Sequence, residues 1–182
     1  MKKYIIAASL AALTLGTAAH AQTQDKLAPQ AQGQMGATQG RMAAQGPDNV
    51  FVTKAASSNM FEIESSKVAL QKAKNAEVKT FAQQMITDHT KAAKDMMAVA
   101  PDAPKAMDAA HMAMVKDLQE ASADKFDAEY VDAQVKAHDE AVALFTKYAD
   151  DAQDPKLKAF AAEKLPVLKQ HQEHVKALNA KM

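Results

Sequence analysis

Apolar residues recur every three or four positions along four long stretches of the chain, which is the spacing of a buried stripe on an α-helix. The segment 76–99 shows the pattern well, because Val78, Phe81, Met85 and Ile86 fall on one face. The pattern predicts four long helices: about 48–73, about 76–99, a third that carries Phe126 to Phe145, and a fourth that carries Leu157 to Leu178.

Helix-breaking residues divide these helices into two pairs. Asn75 separates the first two, and Asp154-Pro155 separates the last two, since Pro suits the first turn of a helix. Two prolines in the segment APDAPK end the second helix, and a shorter helical segment follows over about 104–121. Short turns favour antiparallel hairpins. The chain is therefore expected to form an all-α, up-down four-helix bundle with a short additional connecting helix.

A short internal repeat supports this division. The sequence NAEVKTFA at 75–82 resembles DPKLKAFA at 154–161, and both open the second helix of a hairpin. Pro166 lies inside the fourth predicted helix, where its missing N–H predicts a kink or a local bulge.

The beginning of the chain has a different character. Residues 1–21 place two lysines before a short apolar run and end in Ala-His-Ala, which is typical of a secretory signal peptide. Residues 22–47 are rich in Gln, Ala and Gly without periodicity, which predicts a disordered linker. We therefore expect export to the periplasm, with association with the outer membrane or envelope as a further hypothesis, and a folded domain over 48–182.

Composition limits the classes of function. The sequence has no Cys, so an exported domain must be held by packing without disulfides. Basic and acidic residues number 22 each, and loss of Lys2 and Lys3 with the signal peptide leaves a slightly acidic chain. Such a chain lacks the basic excess of a nucleic-acid-binding protein. No later segment is apolar enough to predict a transmembrane helix, and nothing in the sequence indicates an oligomeric state.

One ionisable residue lies near the middle of each predicted apolar stripe. In an antiparallel hairpin, residues equidistant from the turn lie at the same level, so these residues form one facing pair in each hairpin. The connection between the hairpins decides whether the two pairs share a level. The four residues are Glu62 with His89 in the first hairpin, and His138 with His171 in the second.

Two interpretations of these four residues remain open. Imidazole and carboxylate ligands suit Zn, Fe, Mn or Cu, and bundle cores are common places for such sites. Asp127, at the edge of the third helix, and Asp88, beside His89, are second-tier candidates. The alternative is a hydrogen-bonded Glu/His network without metal, since buried polar groups need partners.

A second cluster is rich in methionine. Met96, Met97 and the later segment to Met114 place thioethers close to an imidazole in the sequence, a combination that suits Cu(I). The alternative is that the cluster is a core stripe filled by adaptable Met side chains. The candidate soft-metal residues are Met107, His111, Met112 and Met114.

Three runs of sequence carry a resemblance to a known family. They are EIESSKVALQKAKNAEVKTFAQQMITDH, FDAEYVDAQVKAHDEAVALF and LKAFAAEKLPVLKQH, which contain all four ionisable stripe residues. Over about 48–178 the chain resembles the domain-of-unknown-function 4142 family. The resemblance implies an exported protein with a ferritin-like bundle, and it implies no specific function.

One feature of ferritin-like di-iron enzymes is missing. Those enzymes carry Glu-x-x-His on each of two helices, whereas the residues three before the stripe histidines are Ile86, Val135 and Leu168. If a metal binds, the sequence therefore predicts a His-rich, mononuclear site. A binding or stress-related role is predicted in preference to catalysis. The second hypothesis is an envelope structural or interaction protein in which the buried His and Glu only specify the fold.

Overall fold

The computed structural model describes residues 46–182. Its five helices confirm the predicted all-α, four-helix bundle with a short connecting helix. The predicted signal peptide (1–21) and nearly all of the predicted linker (22–47) lie outside the described residues and stay predictions. The helices are α1 (Pro47–Lys72), α2 (Ala76–Val99), α3 (Ala109–Glu120), α4 (Phe126–Asp151) and α5 (Pro155–Asn179).

The helix boundaries follow from capping side chains. Asn75 and Asp154 occupy equivalent places before α2 and α5, and each accepts a hydrogen bond from the backbone N–H two residues later, at 2.8 and 2.7 Å. Such caps satisfy N–H groups that have no partner inside the helix. The connecting helix starts later than the predicted position near residue 104, because Asp108 caps it through the N–H of His111. α5 runs without interruption through Pro166.

Two aspartates tie the hairpins together at opposite ends of the bundle. Asp48, near the start of α1, accepts hydrogen bonds from the backbone N–H groups of Gln153 and Asp154 at 3.0 and 2.7 Å. Asp127, near the start of α4, accepts in the same way from the α1–α2 turn, at 2.8 Å for Asn75. α1 therefore runs antiparallel to α4, and both hairpins are antiparallel, which gives an up-down bundle. α3 packs mainly on α1 as the chain crosses between the hairpins.

The core has an apolar region at each end and a polar layer between them. Phe51, Phe145 and Phe160 pack together at one end, and Phe81 packs with Tyr130 at the other. Burial of each such ring stabilises the fold by about 1.5–3 kcal/mol. The middle layer contains the buried polar residues Glu62, Ser65, Ser66, His89, Gln134, His138 and His171. Within residues 46–182, no helix is both long and apolar enough to cross a membrane.

Candidate metal centre

Three of the four predicted residues come together in the polar layer. His89 on α2, His138 on α4 and His171 on α5 have ring centroids 5.6–6.0 Å apart. One ring nitrogen from each lies within 4.8 Å of the other two, and all three rings are buried. A tetrahedral ion with bonds of about 2.0–2.1 Å holds its nitrogen ligands about 3.4 Å apart. Closure of these nitrogen–nitrogen distances by at most about 1.4 Å would therefore bring the three histidines to a bound geometry.

The outward-facing nitrogens of His89 and His138 have hydrogen-bond acceptors. The Nδ1 of His89 is 3.0 Å from the amide oxygen of Asn59. The Nδ1 of His138 is 2.9 Å from the backbone carbonyl oxygen of Gln134, one turn earlier in α4. Since both partners accept hydrogen bonds, both Nδ1 atoms carry the proton. Partners of this kind fix the tautomer and the orientation of metal-binding histidines.

The third histidine is held in the opposite orientation. The Nε2 of His171 donates to a carboxylate oxygen of Asp88 at 2.9 Å. The remaining nitrogens are Nε2 of His89, Nε2 of His138 and Nδ1 of His171, and each is buried without a hydrogen-bond partner among the described residues. Three lone pairs are therefore available in one buried layer, which is the donor set that a transition-metal ion requires.

Electrostatics keep His89 and His171 neutral. Burial lowers the pKa of His89 well below its usual value, and the nearby His138 and His171 lower it further. Burial also lowers the pKa of His171, while the Asp88 carboxylate opposes that shift. Metal binding needs deprotonated imidazole. Both rings are therefore in the ligand form at neutral pH.

Glu62 lies beside the cluster but outside the group of three. Its Oε1 is 3.7 Å from the Nδ1 of His138, the nitrogen that Gln134 already engages. Burial raises the pKa of Glu62, and the neighbouring His138 opposes this shift. The sequence predicted that Glu62 pairs with His89. In the structure Asn59 contacts His89, and Glu62 contacts His138 instead. Coordination by Glu62 stays a prediction.

The second-tier residues have different positions. Asp88 supports the cluster through its hydrogen bond to His171. Asp127 lies at the α1–α2 turn, where the N–H groups of Lys74 and Asn75 engage its carboxylate. Sequence reasoning missed Asn59, whose signal is a lone amide beside the apolar stripe of α1. It also missed the carbonyl of Gln134, for which no side-chain signal exists.

Of the four candidate soft-metal residues on and before α3, three lie beside Phe61 and Met112 is exposed. Met107 and Met114 are partly buried against the core around Phe61, as the core-stripe alternative predicts. Met112 is 51% exposed. The Nδ1 of His111 is 2.7 Å from the hydroxyl of Ser57 and also contacts Asp108.

Two cavities reach the histidine cluster. The larger, about 230 Å³, is bounded by His89 and by α1, α2, α4 and α5. The smaller, about 100 Å³, is bounded by Asp88, His89 and His171. Lys164 lines both cavities. The cluster therefore lies against open space on two sides.

The fold and the site define the chain as an up-down helical bundle with a buried three-histidine cluster. Comparison with family models places residues 30–178 in the family described as a domain of unknown function (DUF4142). The chain belongs to that family. No curated protein matches the sequence significantly.

Similar folds occur among solved structures. A DUF305 fragment from Deinococcus radiodurans matches with a TM-score of 0.65 at 13% identity, covering 75% of this chain and 97% of that chain. CopM in its Cu(II)-bound form matches with a TM-score of 0.62 at 20% identity, covering 74% and 96%. CopM in its Cu(I)-bound form gives 0.61 with the same identity and coverage. These likenesses show the shared bundle fold.

Proposed function

We propose that this protein is exported to the periplasm and binds one transition-metal ion through His89, His138 and His171. The observation that carries the proposal is the convergence of three buried imidazoles, each with one nitrogen in contact with an acceptor and the other without a hydrogen-bond partner among the described residues. The signal peptide predicted over residues 1–21 supports export.

Unsatisfied polar atoms favour metal over a purely structural network. A network that only specifies the fold is expected to satisfy its own buried donors and acceptors. Here one nitrogen of each clustered histidine has no hydrogen-bond partner among residues 46–182. Leaving such groups unpaired costs about 1–3 kcal/mol each. A bound cation offsets that cost for the three imidazoles.

Nitrogen ligands suit Zn, Fe, Mn and Cu. Copper is the first ion to test, because two of the similar bundles are copper-bound forms of CopM. Three buried imidazoles with a supporting Asp88 make a site for holding an ion. We therefore assign a role in binding or carrying metal, with a link to metal stress, in preference to catalysis.

Metal titration of the purified, chelator-stripped protein tests the proposal. We expect one equivalent of Cu(II) or Zn(II) to bind. The His138→Gln variant is expected to bind at least about 100-fold more weakly, because a directly bound ligand should matter at least as much as a supporting residue. His174→Gln is the matched control, since His174 is also on the bundle, packs against Phe81 and lies outside the cluster.

The alternative envelope protein gives a different result. If His138 only specifies the fold, His138→Gln lowers the free energy of unfolding while both proteins bind no metal. Circular dichroism of each variant separates loss of a ligand from loss of the fold. Equal metal binding by the wild type and His138→Gln would refute the assignment of the site.

A further inference from the structure

The larger cavity extends along α2 from the histidine cluster to the surface. His89, Met96 and Met97 all line this cavity. The two methionines lie two helical turns after His89, roughly 10 Å further along the α2 axis. Of the α2 residues between them, Ala92 and Ala93 also line the cavity. Because these side chains are single methyl groups, space remains open between the thioethers and the imidazole.

The thioethers differ in depth. Met97 is 50% exposed and Met96 is 6% exposed, so one is at the rim and the other is inside. Met60 lines the same cavity from α1. An incoming ion would therefore meet soft sulfur ligands first and the imidazole of His89 at the inner end.

The charges around the cavity select against hard ions. Among the described residues, no Asp or Glu lines it, whereas Lys105 and Lys164 do. The ammonium group of Lys164 pairs with Asp95 at 2.5 Å, so its charge is partly balanced from outside. Hard cations such as Mg²⁺ and Ca²⁺ prefer oxygen ligands. Neutral thioethers suit a monovalent, weakly hydrated ion, and the sequence has no Cys to compete for it.

We propose that this cavity is an entry route for a soft monovalent cation, Cu(I) or Ag(I), which passes from Met97 to Met96 and Met60 and then to His89. The inference rests on the proposed function, because it supplies the route and the ion class for the same three-histidine site. Each transfer exchanges one coordinate bond for another, thioether sulfur for thioether sulfur and then sulfur for imidazole nitrogen; no covalent bond of the protein breaks, and the oxidation state of the ion does not change.

Methionine methyl NMR with Ag(I) tests the thioether part of the route. Ag(I) is diamagnetic and redox-inert, so the methyl signals report contact alone. We expect the signals of Met60, Met96 and Met97 to shift at the first equivalent. Met112 is the matched control, since it is 51% exposed against 50% for Met97 and lies outside the cavity. Equal shifts at Met97 and Met112, or no shift at Met96, would overturn the route.

Loading kinetics test transfer to the cluster. The Met96→Leu/Met97→Leu variant is expected to take up Ag(I) at least about tenfold more slowly, because the soft ligands that draw the ion inward are gone. Its equilibrium binding of Zn(II) and the loading rate of Met112→Leu should match the wild type. Unchanged Ag(I) loading overturns the route.

Divalent binding distinguishes this inference from the proposed function. If Zn(II) binds to the histidines while Ag(I) leaves the three methyl signals unmoved, the entry route fails and the proposed function stands. If Ag(I) moves those signals but neither ion perturbs the imidazole signal of His89, the transfer fails together with the histidine site. Histidine imidazole NMR in the same samples gives this second readout.

Discussion

The two hairpins of the bundle have equivalent ends. Asp48 and Asp127 each accept hydrogen bonds from the turn of the other hairpin, and Asn75 and Asp154 each cap the second helix of their own. The sequence separation between Asp48 and Asp127 equals the separation between Asn75 and Asp154. The short repeat predicted from the sequence is therefore part of a longer structural correspondence, in which each hairpin closes the other.

In the middle of the bundle, equivalent positions of the two hairpins carry different residues. The second hairpin supplies two imidazoles, while the first supplies one imidazole, one hydrogen-bond acceptor and the small side chain that opens the cavity. A nearly symmetric scaffold therefore holds an asymmetric site. The corresponding pairs are Asn59 with His138, Ala92 with His171, and His89 with Leu168.

The largest expected effect tests the equivalence of the apolar ends. Phe51 and Tyr130 occupy equivalent positions in the two hairpins, and both are fully buried. The ring centroid of Phe51 is 4.7 Å from that of Tyr148, and the ring centroid of Tyr130 is 6.1 Å from that of Phe126. Phe51→Ala and Tyr130→Ala should each lower the free energy of unfolding by about 3–5 kcal/mol, because each removes a buried ring and leaves a cavity. Urea unfolding followed by circular dichroism measures both.

Tyr130→Phe separates the hydroxyl from the ring. The Tyr130 hydroxyl is 2.9 Å from that of Ser66, so its removal leaves a buried polar group and should cost about 1 kcal/mol. If either alanine variant lowers the free energy of unfolding by less than about 1 kcal/mol, its end of the bundle is loosely packed and the two ends are not equivalent.

The next largest effect concerns His89, where the two hairpins differ because the equivalent residue of the second hairpin is Leu168. The folded-state pKa of His89 is well below the usual 6.5, so the unfolded chain takes up a proton that the folded chain does not. Metal-free wild type should therefore lose stability as the pH falls below about 6.5, by up to about 1.4 kcal/mol per pH unit for this group. Well above pH 6.5 the ring is neutral in both states and contributes no pH dependence.

His89→Leu removes that contribution and gives the first hairpin the residue of the second. The free energy of unfolding of the variant, measured in chelator from pH 7.5 to 5.5, should fall less steeply than that of the wild type. Glu62 has a raised pKa and acts in the opposite direction above its unfolded value of 4.5, but it is present in both proteins. Parallel curves for the two proteins would contradict the assignment of a neutral, buried His89.

Local sequence signals were sufficient for the helices. Period-three and period-four stripes, with breaks at Asn75 and Asp154, predicted the four long helices. Equidistance from the turns predicted one facing pair in each hairpin, and it left open whether the two pairs share a level. These signals work because helical geometry is regular along the chain. The start of α3 was missed because the cap at Asp108 was not recognised in a segment with two prolines.

Contacts between helices could not be predicted from the sequence. Which acceptor engages each ring depends on how the helices rotate against one another, so the sequence did not reveal that Asn59 would contact His89 or that Glu62 would contact His138. Cavities have the same origin. Ala92 and Ala93 are ordinary helix residues until the packing shows that nothing fills the space beside them.

The smallest effect sharpens the comparison at the ends of the bundle. Asp48→Ala and Asp127→Ala each leave backbone N–H groups of a turn without their carboxylate, and each should lower the free energy of unfolding by about 1 kcal/mol. The two residues are at opposite ends, so the double variant should lose the sum within about 0.5 kcal/mol. Thermal and urea unfolding measure these losses, with Asp102→Ala, in the exposed turn after α2, as the control. If only one of the two single variants loses stability, only that aspartate stabilises the turn of the other hairpin. Metal affinity should stay unchanged in all three variants, because both aspartates lie away from the histidine layer.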